Sequence, residues 1–376
     1  MTTCAINKWN DFITELPHQR LPFSKKNWGN QNHSLCSYQG KLKPAIAYHL
    51  VKTFLPQGGT LLDPFSGVGT IPFEGALNNI LSYGIDISPL AYIVSSAKVY
   101  KCDKYKCDKY LNDMTVFLNS NAVPDEYKKV NALFGYNKTL SEYYHPDTFN
   151  EILLARMFIA TYPPKSPEEM LVVACLLHIL HGNRPYALSR KSHPIVPYAP
   201  TGIFEYKNLI TKVSEKMKKS LEALPETGFI NGKMFLADST LKWPYELNNL
   251  DAIITSPPFY DSTRFYLANW IRLWFIGWNR KDFDTEPHKY IDERQKKDFY
   301  VYNPIFKQAK ERLKGGGYFV MHLGKSKKCN MGEILQYIGK KWFQHTELYV
   351  EDVRNCEKFG IKDLGTVTDH QYLLMY

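Results

Sequence analysis

Apolar residues recur with a helical period over 43–56, where Pro44 stands near the start and Ala45, Ile46, Tyr48, Leu50, Val51 and Phe54 follow. The turn formers Pro56-Gln-Gly-Gly59 close that stretch. Thr60-Leu61-Leu62 then predicts a short buried strand ending at Asp63. A helix over 71–80, a second short strand over 81–87 and a helix opened by Ser88-Pro89 and running to about 100 follow in order. Strand, helix, strand, helix predicts a parallel α/β sheet. Before this alternation, Pro17, Pro22, Gly29 and many Asn and Lys interrupt any period, so 1–35 reads as an irregular N-terminal extension.

From 101 to 232 the pattern turns mostly helical. The run from Met170 to Leu180 is apolar except for His178, is too short to cross a bilayer, and predicts a buried helix. Residues 181–207 are rich in Pro, Gly and basic side chains and have no clear period. Strand signals resume at 233–237 and 250–255, with a helical stretch around 268–278 and a polar segment over 279–297. A helix near 304–313, a turn at Gly315-Gly-Gly317, a strand over 318–323 and a last strand over 371–376 complete the chain. There are no internal repeats. The simplest architecture is one parallel sheet, split by a mainly helical insertion over 101–232 between its second and third strands.

Composition narrows the class more than the fold. The 376 residues are 44% hydrophobic and 22% charged, ordinary globular usage that excludes collagen-like, low-complexity and wholly disordered chains. A net charge of +10 and a pI near 9.0 favour a polyanionic partner. The first twenty residues hold no apolar core of a secretory signal, and no run is long enough for a membrane span. The 7 cysteines are odd in number and include no Cys-x-x-Cys, which argues against a disulfide framework or a zinc site and for a reducing cytoplasm. Cys102 and Cys107 read as solvated helix residues rather than metal ligands.

Two segments carry candidate chemistry. In Leu61-Leu-Asp-Pro-Phe-Ser-Gly-Val-Gly-Thr70 a strand ends in an acid, a turn holds Gly67 and Gly69, and a helix begins. Glycines allow close approach of a ligand to backbone, and a helix start offers unpaired N–H groups. A dinucleotide fingerprint would place a third glycine at position 72, where Pro72 stands. S-adenosylmethionine suits the pattern better: Asp63 would face its amino group, and Asp86, about 20 residues after Gly67, would take the ribose hydroxyls. The plainer alternative is that both acids merely cap helices.

The second segment is Leu250-Asp-Ala-Ile-Ile-Thr-Ser-Pro-Pro-Phe-Tyr260, an apolar strand running into two prolines. Pro257 and Pro258 stiffen an extended loop and present carbonyl oxygens without N–H donors. An amine substrate carries donors that want such acceptors. Ser256 adds a hydroxyl acceptor, and Phe259 or Tyr260 a flat face for a base. A plain Ser-Pro-Pro turn is the alternative reading of the triplet.

Together these segments resemble the exocyclic-amino DNA methyltransferases, and within them the N4-cytosine enzymes, which pair D-P-F-x-G-x-G-T with [D/N/S]-P-P-[Y/F/W]. The resemblance implies a Rossmann-like class I methyltransferase sheet, mostly parallel with helices on both faces, built from 36–100 and 233–376. It implies S-adenosylmethionine as cofactor, held by Tyr38, Lys41, Asp63, Pro64, Phe65, Gly67, Gly69, Thr70, Asp86, Ile87 and Asp238, with no metal. Ser37-Tyr-Gln-Gly-Lys41 is similar to the family's preceding cofactor motif, Leu236-Ala-Asp238 to its adenine-contacting acid, and 313–320 to its later turn and strand. Ser256, Pro257, Pro258 and Phe259 become the catalytic set. Double-stranded DNA is the implied partner, with a cognate restriction endonuclease as a second one.

The family's common orders place target recognition after the acid motif or at a terminus, whereas Asp238 and Ser256 lie close together here. The 101–232 insertion is therefore assigned to DNA recognition from its size and charge. Residues 181–220 hold eight Lys or Arg against two Glu, and Arg184, Arg190 and Lys191 lie among aromatics and prolines. These three, with Tyr260 beside the flipped base, form the expected DNA contacts. Adenine-N6 methylation of DNA and amino-methylation of RNA remain alternatives, as does a basic binding protein without activity.

Overall fold

The computed structural model describes residues 2–25, 27–36, 38, 40–182, 186–191, 199–260, 264–353 and 367–376. Seven strands form one sheet: β1 (Thr60–Asp63), β2 (Leu81–Asp86), β3 (Lys233–Leu236), β4 (Leu250–Thr255), β5 (Leu313–Lys325), β6 (Thr346–Asp352) and β7 (Asp369–Met375). Their order is β3-β2-β1-β4-β5-β7-β6. The first five are parallel, and β7 runs antiparallel to both β5 and β6. This is the expected mostly parallel Rossmann-like sheet, with one correction: a wholly parallel arrangement fails at the β6–β7 edge. β7 pairs back on β6 and inserts between it and β5, so β7 alone runs against the other strands.

Strand residues alternate between two apolar layers, as the pleat requires. Leu62, Ile85, Ile253, Phe319, Met321 and Leu373 face one layer. Leu61, Ala252, Ile254, Val320, Tyr372 and Leu374 face the other. Helix α1 (Thr2–Glu15) and α2 (Pro44–Phe54) cover the second layer. The helices α3 (Thr70–Leu77) and α4 (Pro89–Lys98) link the first strands, with the Ser88 hydroxyl capping α4.

Helix α1 corrects the reading of 1–35 as irregular. Ala5, Ile6, Trp9, Phe12 and Ile13 recur at helical spacing and pack on Leu50, Phe54 and Tyr372. Trp9 and Phe12 are almost fully buried, each contributing about 2 kcal/mol of burial. Polar residues between them hid that stripe in the sequence.

The insertion holds α5 (Lys104–Ser120), α6 (Asp125–Ala132), α7 (Leu140–Tyr143), α8 (Pro146–Thr161), α9 (Pro167–Ile179) and α10 (Leu209–Glu222). Helix α9 is the expected buried one, enclosed by α4, α5, α8 and α10. Cys107 lies inside this core, and the Cys102 thiol meets the Tyr100 and Pro167 carbonyls, so the reading of both as solvated is corrected. Cys107 faces inward because α5 turns its Tyr110–Met114 side onto α8 and α9.

After β4 the chain forms α11 (Phe265–Ala268), α12 (Trp270–Phe275), α13 (Arg280–Thr285) and α14 (Ile291–Arg294). Helix α12 drives Trp270, Ile271, Leu273 and Trp274 into the insertion core. Helices α15 (Asn303–Arg312) and α16 (Met331–Gly339) then cover the first layer of the sheet. The glycines at 315–317 do not end a helix in a separate turn; they loop out inside β5. Leu250 pairs with Leu313 while Ala252 already pairs with Tyr318, and Gly316 takes φ +79. A sequence scan reads such a bulge as a turn because both need the same residues.

Candidate active site

The sheet reverses its winding between β1 and β4, where a crevice opens at the carboxyl ends of open α/β sheets. Both sequence motifs end there. Leu61 and Leu62 pair with Ala252 and Ile253, which brings Asp63 level with the end of β4. The Thr255 hydroxyl donates to Asp63 Oδ1 at 2.6 Å, and the Phe65 amide donates to the same oxygen at 3.0 Å. Ser256-Pro-Pro-Phe259 therefore starts one residue from the side chain that touches the acid of the glycine turn.

The turn itself is tied to β2. Asp86 accepts from the Gly67 amide at 2.8 Å through one oxygen and from the Ser88 amide at 2.8 Å through the other. The Ser66 amide donates to the Ile85 carbonyl at 3.1 Å. Neither acid caps a helix with its side chain, which sets aside the plainer reading of the pair. Burial pushes the Asp63 carboxyl up to about 7 against the opposing bonds from Thr255 and Phe65. Burial likewise pushes Asp86 up to about 6, against the bonds from Ser88 and Gly67 and with the help of Asp292. Asp63 is buried and Asp86 half-buried, so two carboxyl groups with raised pKa values stand at one strand-end crevice.

The two glycines do different work. Gly67 has φ +49, and a Cβ there would lie 3.7 Å from the Tyr38 ring, so Tyr38 lies over the turn. Gly69 has φ +73, and a Cβ there would come within 2.8 Å of Ser95 Cβ. Its missing side chain lets α4 pack close rather than admitting a ligand. Thr70 opens α3 and is buried, Ile87 is half-buried past the tip of β2, and Pro64 is bonded through its carbonyl by the Ser239 hydroxyl.

The Phe65 ring lies 5.9 Å from that of Tyr302. The Tyr38 ring also packs, tilted, 4.3 Å from that of Phe265. Lys41 is half-buried, with its ammonium on the His33 carbonyl at 2.6 Å. Asp238 accepts from Thr240 and pairs with Arg294 at 2.9 Å.

The Pro-Pro loop is held from outside. The Gln295 amide donates to the Pro258 carbonyl at 3.0 Å, and the Tyr302 hydroxyl donates to Gln295 at 2.8 Å. Ser256 Oγ lies 3.0 Å from His322 Nδ1. The Phe259 ring packs 5.5 Å from His322, and Tyr260 stacks 5.9 Å from Phe299. Sequence reasoning missed Tyr290, Asp292, Arg294, Gln295, Tyr302 and His322. The first four sit in the segment read only as polar. A signal for His322 was present: a histidine interrupts an otherwise apolar strand.

Arg190 and Lys191 differ sharply. The Arg190 guanidinium bonds the Gly202 and Glu142 carbonyls and lies 4.1 Å over the Phe204 ring. Lys191 is exposed. Lys207 bonds the Ala187 and Ser189 carbonyls, so the basic stretch is partly internal scaffolding. Arg184 lies outside the described residues.

Residues 32–103 match a family described as RMKL-like, methyltransferase domain. The chain is similar to the Type II methyltransferase M.BsoBI of Geobacillus stearothermophilus, at 23% identity over 71% of this chain and 57% of that protein. It is similar to the Type II methyltransferase M.MjaII of Methanocaldococcus jannaschii, at 33% identity over 28% of this chain and 21% of that protein. It is also similar to the Type II methyltransferase M.MvaI of Kocuria varians, at 21% identity over 65% of this chain and 57% of that protein. The matches thus span little more than half the length of two relatives and about a fifth of the third. Among the described residues no helix is long and apolar enough to cross a membrane.

Proposed function

The chain belongs to the S-adenosylmethionine-dependent methyltransferases, and from that premise we propose that it methylates an exocyclic base amine in double-stranded DNA, the N4 amine of a flipped-out cytosine. The observation that carries the reading is the Thr255–Asp63 bond. It sets the acceptor-rich Ser-Pro-Pro loop against the buried acid of the glycine turn, so methyl donor and amine would meet at one strand end.

In this reading Asp63 takes the cofactor's amino group, Asp86 its ribose and Asp238 its adenine edge, with Tyr38 closing over Gly67. Lys41, Pro64, Phe65, Gly69, Thr70 and Ile87 shape the same pocket. The Ser256 hydroxyl and the Pro257 carbonyl accept the two N–H bonds of the amine and localise its lone pair. The amine attacks the sulfonium methyl in line, the C–S bond breaks, and one proton leaves afterwards. Positioning supplies much of the rate. Phe259 and Tyr260 offer ring faces to the extruded base. Cytosine is preferred over adenine because Ser256 fills the position where the adenine-N6 enzymes of the resembled family mostly carry Asp or Asn.

The 101–232 insertion is proposed as the DNA-recognition region, and a cognate restriction endonuclease as partner, since the relatives are named Type II methyltransferases. The test is incubation with labelled cofactor and duplex DNA or RNA, followed by digestion to nucleosides and mass spectrometry. N4-methylcytosine from DNA is the expected product. N6-methyladenine overturns the base assignment alone, and label found only in RNA overturns the substrate.

A further inference from the structure

The sheet sets a second polar group behind the Ser-Pro-Pro loop. Thr255 pairs with Met321 in the parallel β4–β5 ladder, so the next residues on the two strands, Ser256 and His322, emerge side by side. Their Oγ and Nδ1 atoms are 3.0 Å apart. His322 is 3% exposed, and the groups facing its ring come from three elements. Ser256 directly follows β4, Phe259 lies in the Pro-Pro loop, and His370 and Tyr372 lie on β7 with rings 4.7 Å and 5.2 Å away. The Tyr372 hydroxyl is turned away to Glu351 at 2.8 Å. On its own strand the nearest charged group is Lys325.

We propose that His322 is a positioning residue for methyl transfer: as a neutral imidazole it takes the Ser256 hydroxyl hydrogen on Nδ1, which fixes Ser256 as an acceptor for the substrate amine and receives its proton. This rests on the amino-methyltransferase reading.

A hydroxyl can donate or accept, and a donating Ser256 would oppose an amine that itself only donates while conjugated. Committing the hydroxyl hydrogen to Nδ1 leaves an oxygen lone pair for the amine. A serine is also a far weaker base than the carboxylate that other members of the resembled family carry at this position, so it needs a second group to pass the proton to. As the new N–C bond forms, the C–S bonding pair returns to sulfur as a neutral thioether and the amine nitrogen carries the positive charge. It gives one hydrogen to Ser256 Oγ while the Ser256 hydrogen moves to Nδ1. The resulting imidazolium later returns its proton to solvent. Burial makes that cation costly, which drives the return.

The test uses His322→Phe, which keeps ring volume without an acceptor, and His322→Asn, which keeps an acceptor near Nδ1 but does not titrate near neutrality. Both are expected to bind S-adenosylmethionine as the wild type does. His322→Phe should lower kcat about 100-fold with little change in KM for DNA, a general-base effect. His322→Asn should recover part of that loss. In the wild type kcat should fall as pH drops through the imidazole's titration, because only the neutral ring accepts, and His322→Asn should lack this acid limb. Wild-type kcat and an unchanged limb in both variants overturn the proposal.

A readout without activity is nitrogen NMR of the His322 ring. The expected result is the Nε2-protonated tautomer, perturbed by Ser256→Ala, and an Nδ1-protonated ring indifferent to that change overturns the arrangement. A wild-type chain that methylates no nucleic acid, yet shows the expected ring, overturns the amino-methyltransferase reading and the catalytic part of this one together.

Discussion

The side-chain amide of Gln295 donates to the Pro258 carbonyl at 3.0 Å, and the Tyr302 hydroxyl holds Gln295 in turn at 2.8 Å. With the Gln295 oxygen bound by Tyr302, only its NH2 can point at the loop. Gln295 thereby pins the Pro258 carbonyl, next to the Pro257 carbonyl that the proposed reaction assigns to the amine. Gln295→Leu should release the loop and lower kcat about 10- to 100-fold while cofactor affinity stays unchanged, the scale expected when a reacting group is misplaced by a fraction of an ångström to an ångström. Tyr302→Phe should cost about 1–3 kcal/mol in thermal unfolding, since it strands a buried acceptor. Calorimetry and methyl-transfer assays on both variants check the pair; wild-type turnover in Gln295→Leu would show the clamp to be dispensable.

Cofactor binding should release protons. Asp63 is pushed up to about 7 and Asp86 to about 6, in both cases first by burial. Both values lie above the unfolded value, so the stability these groups lend the cofactor-free fold is fully present below about pH 4 and is lost as pH rises to about 7. A cationic cofactor favours the ionised carboxylates. Its affinity should therefore rise from pH 5.5 to 7.5, with proton release largest between 6 and 7. The rise in melting temperature on adding cofactor should be larger at pH 8 than at pH 5.5. Calorimetry in buffers of different ionisation heats counts the protons. Asp63→Asn should remove its share; Asp86→Ala and Gly67→Leu should weaken binding outright, and unchanged affinity in both would undo the pocket assignment.

Gly324→Ala offers a test of the proposed base-stacking face that replaces no residue of either motif. A Cβ at 324 would come within 2.5 Å of the Phe259 ring. The ring must shift, because the clash is with its edge and not with a flexible chain end. The expected result is weaker capture of the extruded base, about 1–3 kcal/mol if stacking is lost, with cofactor affinity retained. Steady-state KM for DNA and cofactor titration distinguish this from general unfolding.

The half of the site built from contiguous motifs was legible in the sequence. Strand ends at Asp63, Asp86 and Thr255 follow from short apolar runs meeting turn formers, and their parallel order follows from the alternation with helices. The other half was not, because it is assembled by register and by irregular chain. His322 meets Ser256 only through the β4–β5 ladder, whose count is shifted by the looped-out glycines at 315–317. Asp292, Arg294 and Gln295 lie in short helical turns where no period is long enough to detect. Helix α1 was missed for a related reason: its apolar stripe is narrow, and its purpose appears only once β7 supplies Tyr372 as its floor.

The basic stretch of the insertion should divide into scaffold and contact. Arg190 satisfies the Gly202 and Glu142 carbonyls, so its charge is bound to the protein's own backbone and is poorly placed to neutralise a phosphate. Lys191, its neighbour, is exposed. Arg190→Ala should remove those bonds, expose Phe204 further and lower the melting temperature, with a cost of about 0.5–1.5 kcal/mol. Lys191→Ala should leave the melting temperature unchanged. If Lys191 meets a phosphate, its loss should reduce the slope of log affinity against log salt by about 0.9 for duplex DNA, with cofactor affinity untouched. Titrations of duplex DNA over a salt series, run beside thermal scans, read both effects at once. A Lys191→Ala slope equal to that of the wild type would move the DNA-binding surface away from this loop.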